Sequence, residues 1–291
     1  MITPHEEQSA LAQDLSAASV FFKREDLHPY GSHKGRSIPI MIDEKLKEGC
    51  HHFAISSSGN AALAAGLHIR ELNSRGGDKI TLEILAGKNI SSKKLARIEE
   101  LKDENILLSL HDRPLQALFT KTLDPSIQSL RQSDNPTALL GYKALAEELL
   151  EIPNLKAVFM GTSSGTTAQA LAEYFIENKS DTEMHIVQTS SCHGIADAFV
   201  ENYSNSEKSI ADAIVDQTAL RKDVLVPLME KTGGSGWIAS NEEIAAAQAI
   251  AKKHTGLSLS PNSALSVAGL MQAIYTGKSW EGPVVCMICG D

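Results

Sequence analysis

"AVFMGTSSGTTAQALAEYF" (residues 157–175) decides how this chain is read. A short apolar run with β-branched and aromatic content, 157–161, ends on a glycine, turns through small hydroxyl-bearing residues, and enters a helix-like stretch at 166–178. The same grammar recurs from end to end. Runs of strand length lie at 20–23, 52–56, 80–85, 105–110, 157–161, 184–189 and 283–288. Between them, helix-like stretches lie at 36–48, 60–73, 92–103, 137–150, 166–178, 242–254 and 263–275. Strands alternating with helices predict an α/β fold with parallel sheets covered on both faces. Pro136, Pro153 and Pro261 punctuate helix ends. In "SNEE" (240–243), Ser240 can accept from the amide three residues on while Glu243 reaches back, a capping box. The polar stretch 124–137 reads as a crossing between lobes and 201–209 as an exposed loop.

A chain of 291 residues, 42% hydrophobic and 22% charged, can bury the cores of about two domains. Its formal net charge of −9 argues against nucleic acid or an anionic membrane as partner. No apolar run approaches the roughly 20 residues of a membrane span. The start, "MITPHEEQSALAQDL", has neither the basic region nor the apolar core of a secretory signal, so the expected location is the cytoplasm. Cys50, Cys192, Cys286 and Cys289 do not make a disulfide framework. "CMIC" spells a C-x-x-C but lies inside the apolar run "PVVCMIC", which reads as strand; no metal site is expected.

Four stretches carry chemistry. In "FKREDLHPYGSHKGRS" (22–37), a Pro-Tyr-Gly-Ser turn delivers Lys34 to the start of a helix. There the positive end of the helix dipole and partial burial favour the neutral, nucleophilic amine that Schiff-base formation requires. In "ISSSGNAALAAG" (55–66), a strand ends in serines, turns on Gly59 and starts a helix at Asn60. Hydroxyls and open amides at a helix N-terminus suit a carboxylate, and the Asn60 amide can hold a phenolate or carbonyl oxygen. The opening stretch places Thr162, Ser163, Ser164, Gly165 and Thr166 before a helix, a cradle for phosphate. It has neither the Gly-Lys-Ser/Thr of a P-loop nor the G-x-G-x-x-G of dinucleotide folds. Finally, Ser263 starts a helix and Cys289 ends a strand, and either could face a heteroaromatic nitrogen. The bland alternatives are a surface lysine, an N-cap with spare serines and a structural turn. Taken together, the four stretches describe pyridoxal 5'-phosphate: a lysine for the aldehyde, an asparagine for the ring oxygen, a loop for the phosphate and a small polar residue for the ring nitrogen. Serines beside the asparagine are left for an amino-acid carboxylate.

These motifs resemble those of the fold-type II pyridoxal phosphate enzymes, and most closely threonine synthase. "KREDLHPYGSHKGR" looks like the lysine motif, "SSSGNAALAAG" like the asparagine loop and "GTSSGT" like the phosphate loop. "LLGYKALAEELLE" (139–151) is similar to a Gly-x-Lys-Thr-x-x-x-Glu helix, with Ala144 in place of threonine. "SIADAI" (209–214) and the stretch from 238 to 270 resemble segments near the family's C-terminal end. The resemblance implies a tryptophan synthase β-like fold of two doubly wound, Rossmann-like lobes with the cofactor in the cleft between them. The larger lobe is expected at 1–40 plus 141–291 and the smaller, mobile one at 41–140. It implies that Lys34 is the Schiff-base lysine and proton-transfer base, and that Asn60 holds the ring oxygen. Residues 162–166 would hold the phosphate, Cys289 (or else Ser263) the ring nitrogen, and Ser57 and Ser58 the substrate carboxylate. A thiol or hydroxyl cannot keep the ring nitrogen protonated as an aspartate would, which favours elimination or replacement over transamination or racemisation.

The chain departs from the family pattern on the substrate side. His33 precedes the lysine where phenylalanine is usual, as in tryptophan synthase β, but that enzyme's Glu-Thr-Gly-Ala-Gly-Gln loop is absent. Ser260 stands in place of a glutamate, "AIVDQTA" replaces Ile-Gly-Asn-Pro, and the ends are shorter. The expected function is a threonine synthase-like lyase acting on a small amino acid, as a homodimer. The alternatives are a serine/threonine dehydratase, a cysteine synthase-like β-replacement enzyme, or a relative that binds cofactor or amino acid without turnover.

Overall fold

The computed structural model describes residues 2–201, 203 and 208–290. The chain divides into two compact units, one made of Met1–Leu27 with Tyr142–Asp291 and the other of His28–Gly141. The larger unit begins with β1 (His5–Glu7), α1 (Ser9–Asp14) and β2 (Ser19–Arg24). The smaller contains α2 (Lys34–Lys47), β3 (His52–Ser56), α3 (Asn60–Ser74), β4 (Thr81–Gly87), α4 (Ser92–Glu99), β5 (Ile106–His111), α5 (Pro114–Lys121), β6 (Ile127–Ser129) and α6 (Thr137–Leu140). The larger then resumes with α7 (Lys143–Leu150), β7 (Ala157–Gly161), α8 (Thr166–Glu177), β8 (Glu183–Thr189) and α9 (Lys222–Thr232). It closes with β9 (Gly236–Ala239), α10 (Asn241–Thr255), α11 (Pro261–Tyr275) and β10 (Pro283–Ile288).

The strands of the larger unit lie in the order β1-β2-β10-β7-β8-β9. All pairs are parallel except β1 with β2. Its two central strands, β10 and β7, are apolar without interruption because both of their faces are covered. Val20, Phe22, Ala157, Phe159, Val187, Val284, Cys286 and Ile288 pack with α1, α10 and α11 in one core. The intervening Val158, Met160, Ile186, Val285 and Met287 are buried as well. On the smaller unit's sheet, β5-β4-β3-β6, every pair is parallel. Its main core joins Phe53, Ile55, Leu82 and Ile84 to Ile38, Met41 and Ile42 of α2 and Ala62, Ala65 and Ile69 of α3. Ala54, Leu85 and Leu118 of α5 form a minor core. The capping box forms as read: Ser240 Oγ accepts from Glu243 N at 3.2 Å and Glu243 Oε2 from Ser240 N at 2.7 Å.

Several boundaries differ from the sequence reading. Residues 28–40, assigned there to the larger lobe, group with the smaller unit because α2 packs into its core, and Ser37 Oγ donates to Ala138 O at 2.7 Å. The stretch 124–137 is no crossing: it holds β6, which pairs with β3. The helix expected over 137–150 is two helices, α6 and α7, and the unit boundary falls between them. α11 begins at Pro261, so Ser263 lies in its first turn, with Ser260 as the N-cap. Of the loop expected at 201–209, residues 202 and 204–207 lie outside the described residues.

Candidate active site

Lys34 is the first residue of α2, and the turn before it is built by local hydrogen bonds. Gly31 N donates to His28 O at 2.7 Å and Lys34 N to the buried Ser32 Oγ at 3.3 Å. A side chain on the residue after the lysine would displace His28: a Cβ on Gly35 would lie 2.2 Å from its Cε1. Tyr30 ties this turn to α3, donating to Glu71 Oε2 at 2.5 Å and lying 3.2 Å from Nδ1 of His68. His68 Nε2 in turn meets Asp43 Oδ1 at 2.8 Å. Burial, with the neighbouring Glu71 carboxylate, pushes the Tyr30 phenol above its ordinary range.

Asn60 is the first residue of α3, and α2 and α3 pack on each other. The N-cap is Gly59, with no side chain capping the helix. Ser57 Oγ accepts from Gly59 N at 3.3 Å, so this serine shapes the turn. The three first-turn amides therefore have no acceptor within the helix. A Cβ on Gly59 would meet nothing within 4 Å, so the turn borders open space. Asn60 Oδ1 is buried and has no hydrogen-bond partner. A half-turn of the amide exchanges its acceptor and donor, so this pole can serve either sense of hydrogen bond.

The turn between β7 and α8 is more engaged with protein than a bare cradle. Gly165 adopts φ 82°, and its N–H donates to Thr162 Oγ1 at 3.1 Å. Ser163 Oγ accepts from Val215 N and Asp216 N, each at 3.0 Å, and Ser163 O accepts from Gln188 Nε2 at 3.1 Å. Ser164 Oγ and Thr166 Oγ1 lie 3.0 Å apart. The expectation that several amides converge here is thus narrowed: the Gly165 amide is taken, and it is the first-turn amides of α8 that lack an intrahelical acceptor. Sequence reasoning also missed Arg221, 8% exposed, whose Nε donates to Thr166 Oγ1 at 3.1 Å.

Ser263 Oγ donates to Gly290 O at 3.0 Å, next to Cys289, which is 7% exposed. Ser260 Oγ donates to the same carbonyl at 2.9 Å. Segment 213–216 links this corner to the turn between β7 and α8: Ala213 N donates to Asn262 Oδ1 at 3.0 Å, two residues before the amides that reach Ser163. In the larger unit, residues 162–166, Ser263 and Cys289 are therefore brought together; Lys34, Ser57, Ser58 and Asn60 belong to the smaller. None of the four cysteines is in a disulfide, and Cys286 donates to Ser266 O at 3.6 Å from within β10. No helix among the described residues is long and apolar enough to cross a membrane.

The family model described as "Pyridoxal-phosphate dependent enzyme" matches residues 2–290, and the chain belongs to that family. It has the fold-type II architecture, and pyridoxal phosphate is its cofactor. Threonine synthase of Mycobacterium tuberculosis is 28% identical over 290 residues, spanning 95% of this chain and 77% of that one. L-serine dehydratase/L-threonine deaminase of Mus musculus is 29% identical over 170 residues, 56% of this chain and 49% of that one. A pyridoxal 5'-phosphate-dependent aspartate racemase of known structure superposes with a TM-score of 0.83 over 100% of this chain and 90% of that one, at 19% identity. The residues present fit the cofactor. The orphaned buried amide pole of Asn60 suits a ring oxygen, and the hydroxyl-lined, uncapped start of α8 suits a phosphate.

Proposed function

We propose that this protein is a lyase of the threonine synthase kind, acting on a small amino acid by elimination or replacement. The observation that carries the reading is the likeness to threonine synthase over nearly the full chain. When bound, the cofactor supplies an electrophilic aldehyde and an electron sink for the carbon beside the amino group. In the proposal, Lys34 would hold the cofactor at its aldehyde and would be the base that moves the substrate's proton. Asn60 holds the ring oxygen. Ser57, Ser58 and the uncapped start of α3 hold the substrate carboxylate, and residues 162–166 hold the phosphate. The ring nitrogen falls to Cys289, with Ser263, whose hydroxyl donates to Gly290 O, as the second choice. Lacking a carboxylate partner, that nitrogen is not held protonated.

A second reading, a hydroxyamino-acid dehydratase, is favoured by the partial likeness to the mouse dehydratase. One experiment separates the readings: purified protein offered a panel of amino acids and O-phosphorylated amino acids, with phosphate, ammonia and oxo-acid release measured. Phosphate release from O-phosphohomoserine with threonine as product supports the first reading. Ammonia and oxo acid from serine or threonine support the second, and cofactor binding without any release supports a non-catalytic relative. The lysine assignment has its own check. Borohydride reduction followed by peptide mapping should fix the cofactor on Lys34, and Lys34→Ala should lose the covalent cofactor and its visible absorption while keeping the fold; label on another lysine overturns it. The proposal extends to a cytoplasmic homodimer, with sedimentation and cell fractionation as the tests.

A further inference from the structure

We propose that Gln188 is a positioning residue for the cofactor's phosphate: by holding the Ser163 carbonyl it keeps the Ser164 N–H turned away from β8 as a donor for the anion. This rests on the reading of residues 162–166 as the phosphate site. Gln188 lies near the end of β8 and is fully buried. Its Nε2 donates to Ser163 O at 3.1 Å, and its Oε1 accepts from Ile195 N and Ala196 N, each at 2.9 Å. Backbone N–H groups only donate and a carbonyl oxygen only accepts, so these partners allow the side-chain amide one orientation.

The peptide joining Ser163 and Ser164 is trans, like every other among the described residues. In a planar trans peptide the carbonyl oxygen and the N–H point to opposite sides. With Ser163 O fixed on Gln188, the Ser164 N–H must therefore point away from Gln188. It has no acceptor among the described residues, whereas the next amide, Gly165 N, donates to Thr162 Oγ1 at 3.1 Å. The side chain of residue 163 is pinned too, Ser163 Oγ accepting from Val215 N and Asp216 N at 3.0 Å each. Residue 163 is thus held at its hydroxyl and its carbonyl, and the peptide that follows cannot rotate without breaking the bond to Gln188. The other pole of Gln188 braces the same turn, since Ile195 Cδ1 stands 3.0 Å from where a Cβ on Gly165 would lie. An N–H fixed in this way just before a helix is preorganised for an anion, and its bond to a dianion is stronger than one to a neutral acceptor.

The test compares pyridoxal 5'-phosphate with pyridoxal, which keeps the aldehyde and ring but has no phosphate. Affinity of the full-length apo-protein for each is measured by equilibrium dialysis in wild type, Gln188→Met and Gln188→Glu. Gln188→Met removes the donor without adding charge and should weaken pyridoxal 5'-phosphate by about ten- to a hundredfold, with pyridoxal unchanged. Gln188→Glu keeps the acceptor for the 195 and 196 amides and loses only the donor, so it carries the test if the methionine variant does not fold. A second readout follows the Ser164 amide by proton–nitrogen NMR during titration with inorganic phosphate. Its proton should move downfield in wild type and stay in place in either variant at saturating phosphate. A shift that persists in the variants would mean that Gln188 does not orient this peptide, and overturns the proposal. So would equal weakening of pyridoxal and its phosphate, the mark of a brace for the fold alone, or unchanged affinity for both. Wild type that shows no preference for pyridoxal 5'-phosphate over pyridoxal would instead overturn the reading of the turn itself, and the Gln188 role with it.

Discussion

At the scale of single residues, Gly165 shows why a turn can be legible while its tolerance is not. The sequence placed a glycine before a helix; the structure puts it at φ 82° with Leu225 Cδ2 2.7 Å and Ile195 Cδ1 3.0 Å from where a Cβ would stand. A side chain there meets core, so an aspartate at 165 would report packing rather than repulsion of a phosphate. Gly165→Ala should cost about 2–4 kcal/mol, from the left-handed backbone and the overpacking together. Urea unfolding of the apo-protein checks this, and a loss below about 1 kcal/mol would mean that Leu225 and Ile195 yield. The helix starts at Lys34 and Asn60 could be read from their immediate neighbours because each follows a short turn. Arg221 could not, since it reaches Thr166 across 55 residues and nothing local to it spells that contact.

Between elements, three strands meet around one histidine. His185 of β8 is fully buried and stacks on Phe159 of β7 with centroids 4.3 Å apart, while both tryptophans of the chain, Trp237 of β9 and Trp280, lie about it. Its Nδ1 accepts from Ser235 N at 3.0 Å and from Trp237 Nε1 at 3.2 Å, so the ring hydrogen belongs on Nε2, 2.9 Å from Glu183 Oε2. Burial lowers its pKa below 6.5, outweighing Glu183, which raises it; nearby Lys278 lowers it further. A folded-state pKa below the unfolded one means that the unfolded chain takes up a proton first as the pH falls. The contribution of His185 is therefore complete above about pH 6.5 and declines below it, by at most about 1.4 kcal/mol per pH unit for one group. Denaturant unfolding followed by tryptophan fluorescence from pH 7.5 to 5.5 should show this slope, and His185→Gln, which does not titrate, should flatten it. An identical slope in the variant would assign the pH dependence elsewhere.

The larger unit is discontinuous in sequence, and the whole molecule depends on how its two segments are joined. β2 lies between β1 and β10, so residues from the first segment sit inside a sheet made mostly by the second. A buried ion pair reinforces the join: Lys23 Nζ of β2 lies 2.5 Å from Glu148 Oε2 of α7, and it also donates to Thr3 O at 2.6 Å. The two side chains are 0% and 6% exposed. Replacing the carboxylate strands a buried ammonium, so Glu148→Ala should cost about 3–5 kcal/mol in denaturant unfolding. Limited proteolysis should then cut the Met1–Leu27 segment first. A loss under about 1 kcal/mol would show the pair to be hydrated in solution.

The longer strands and most helices were determined by the sequence alone, because an apolar run buried on both faces, or a helix opened by a turn and a cap, announces itself within a dozen residues. So were the helix starts at Lys34, Asn60 and Thr166, which are local features. The short elements β1, β6 and β9 were not legible, since three or four residues carry no periodicity and owe their pairing to strands already in place. Only the tertiary structure decided that 28–40 belongs with the smaller unit, through the side of α2 that packs on α3. It likewise decided that Ser163 Oγ accepts from the 215 and 216 amides, that Ser263 donates to Gly290 O and that Arg221 reaches Thr166. Each of these is a contact between residues far apart in the chain, and a side chain's partner across such a distance is chosen by packing, not by its neighbours in sequence.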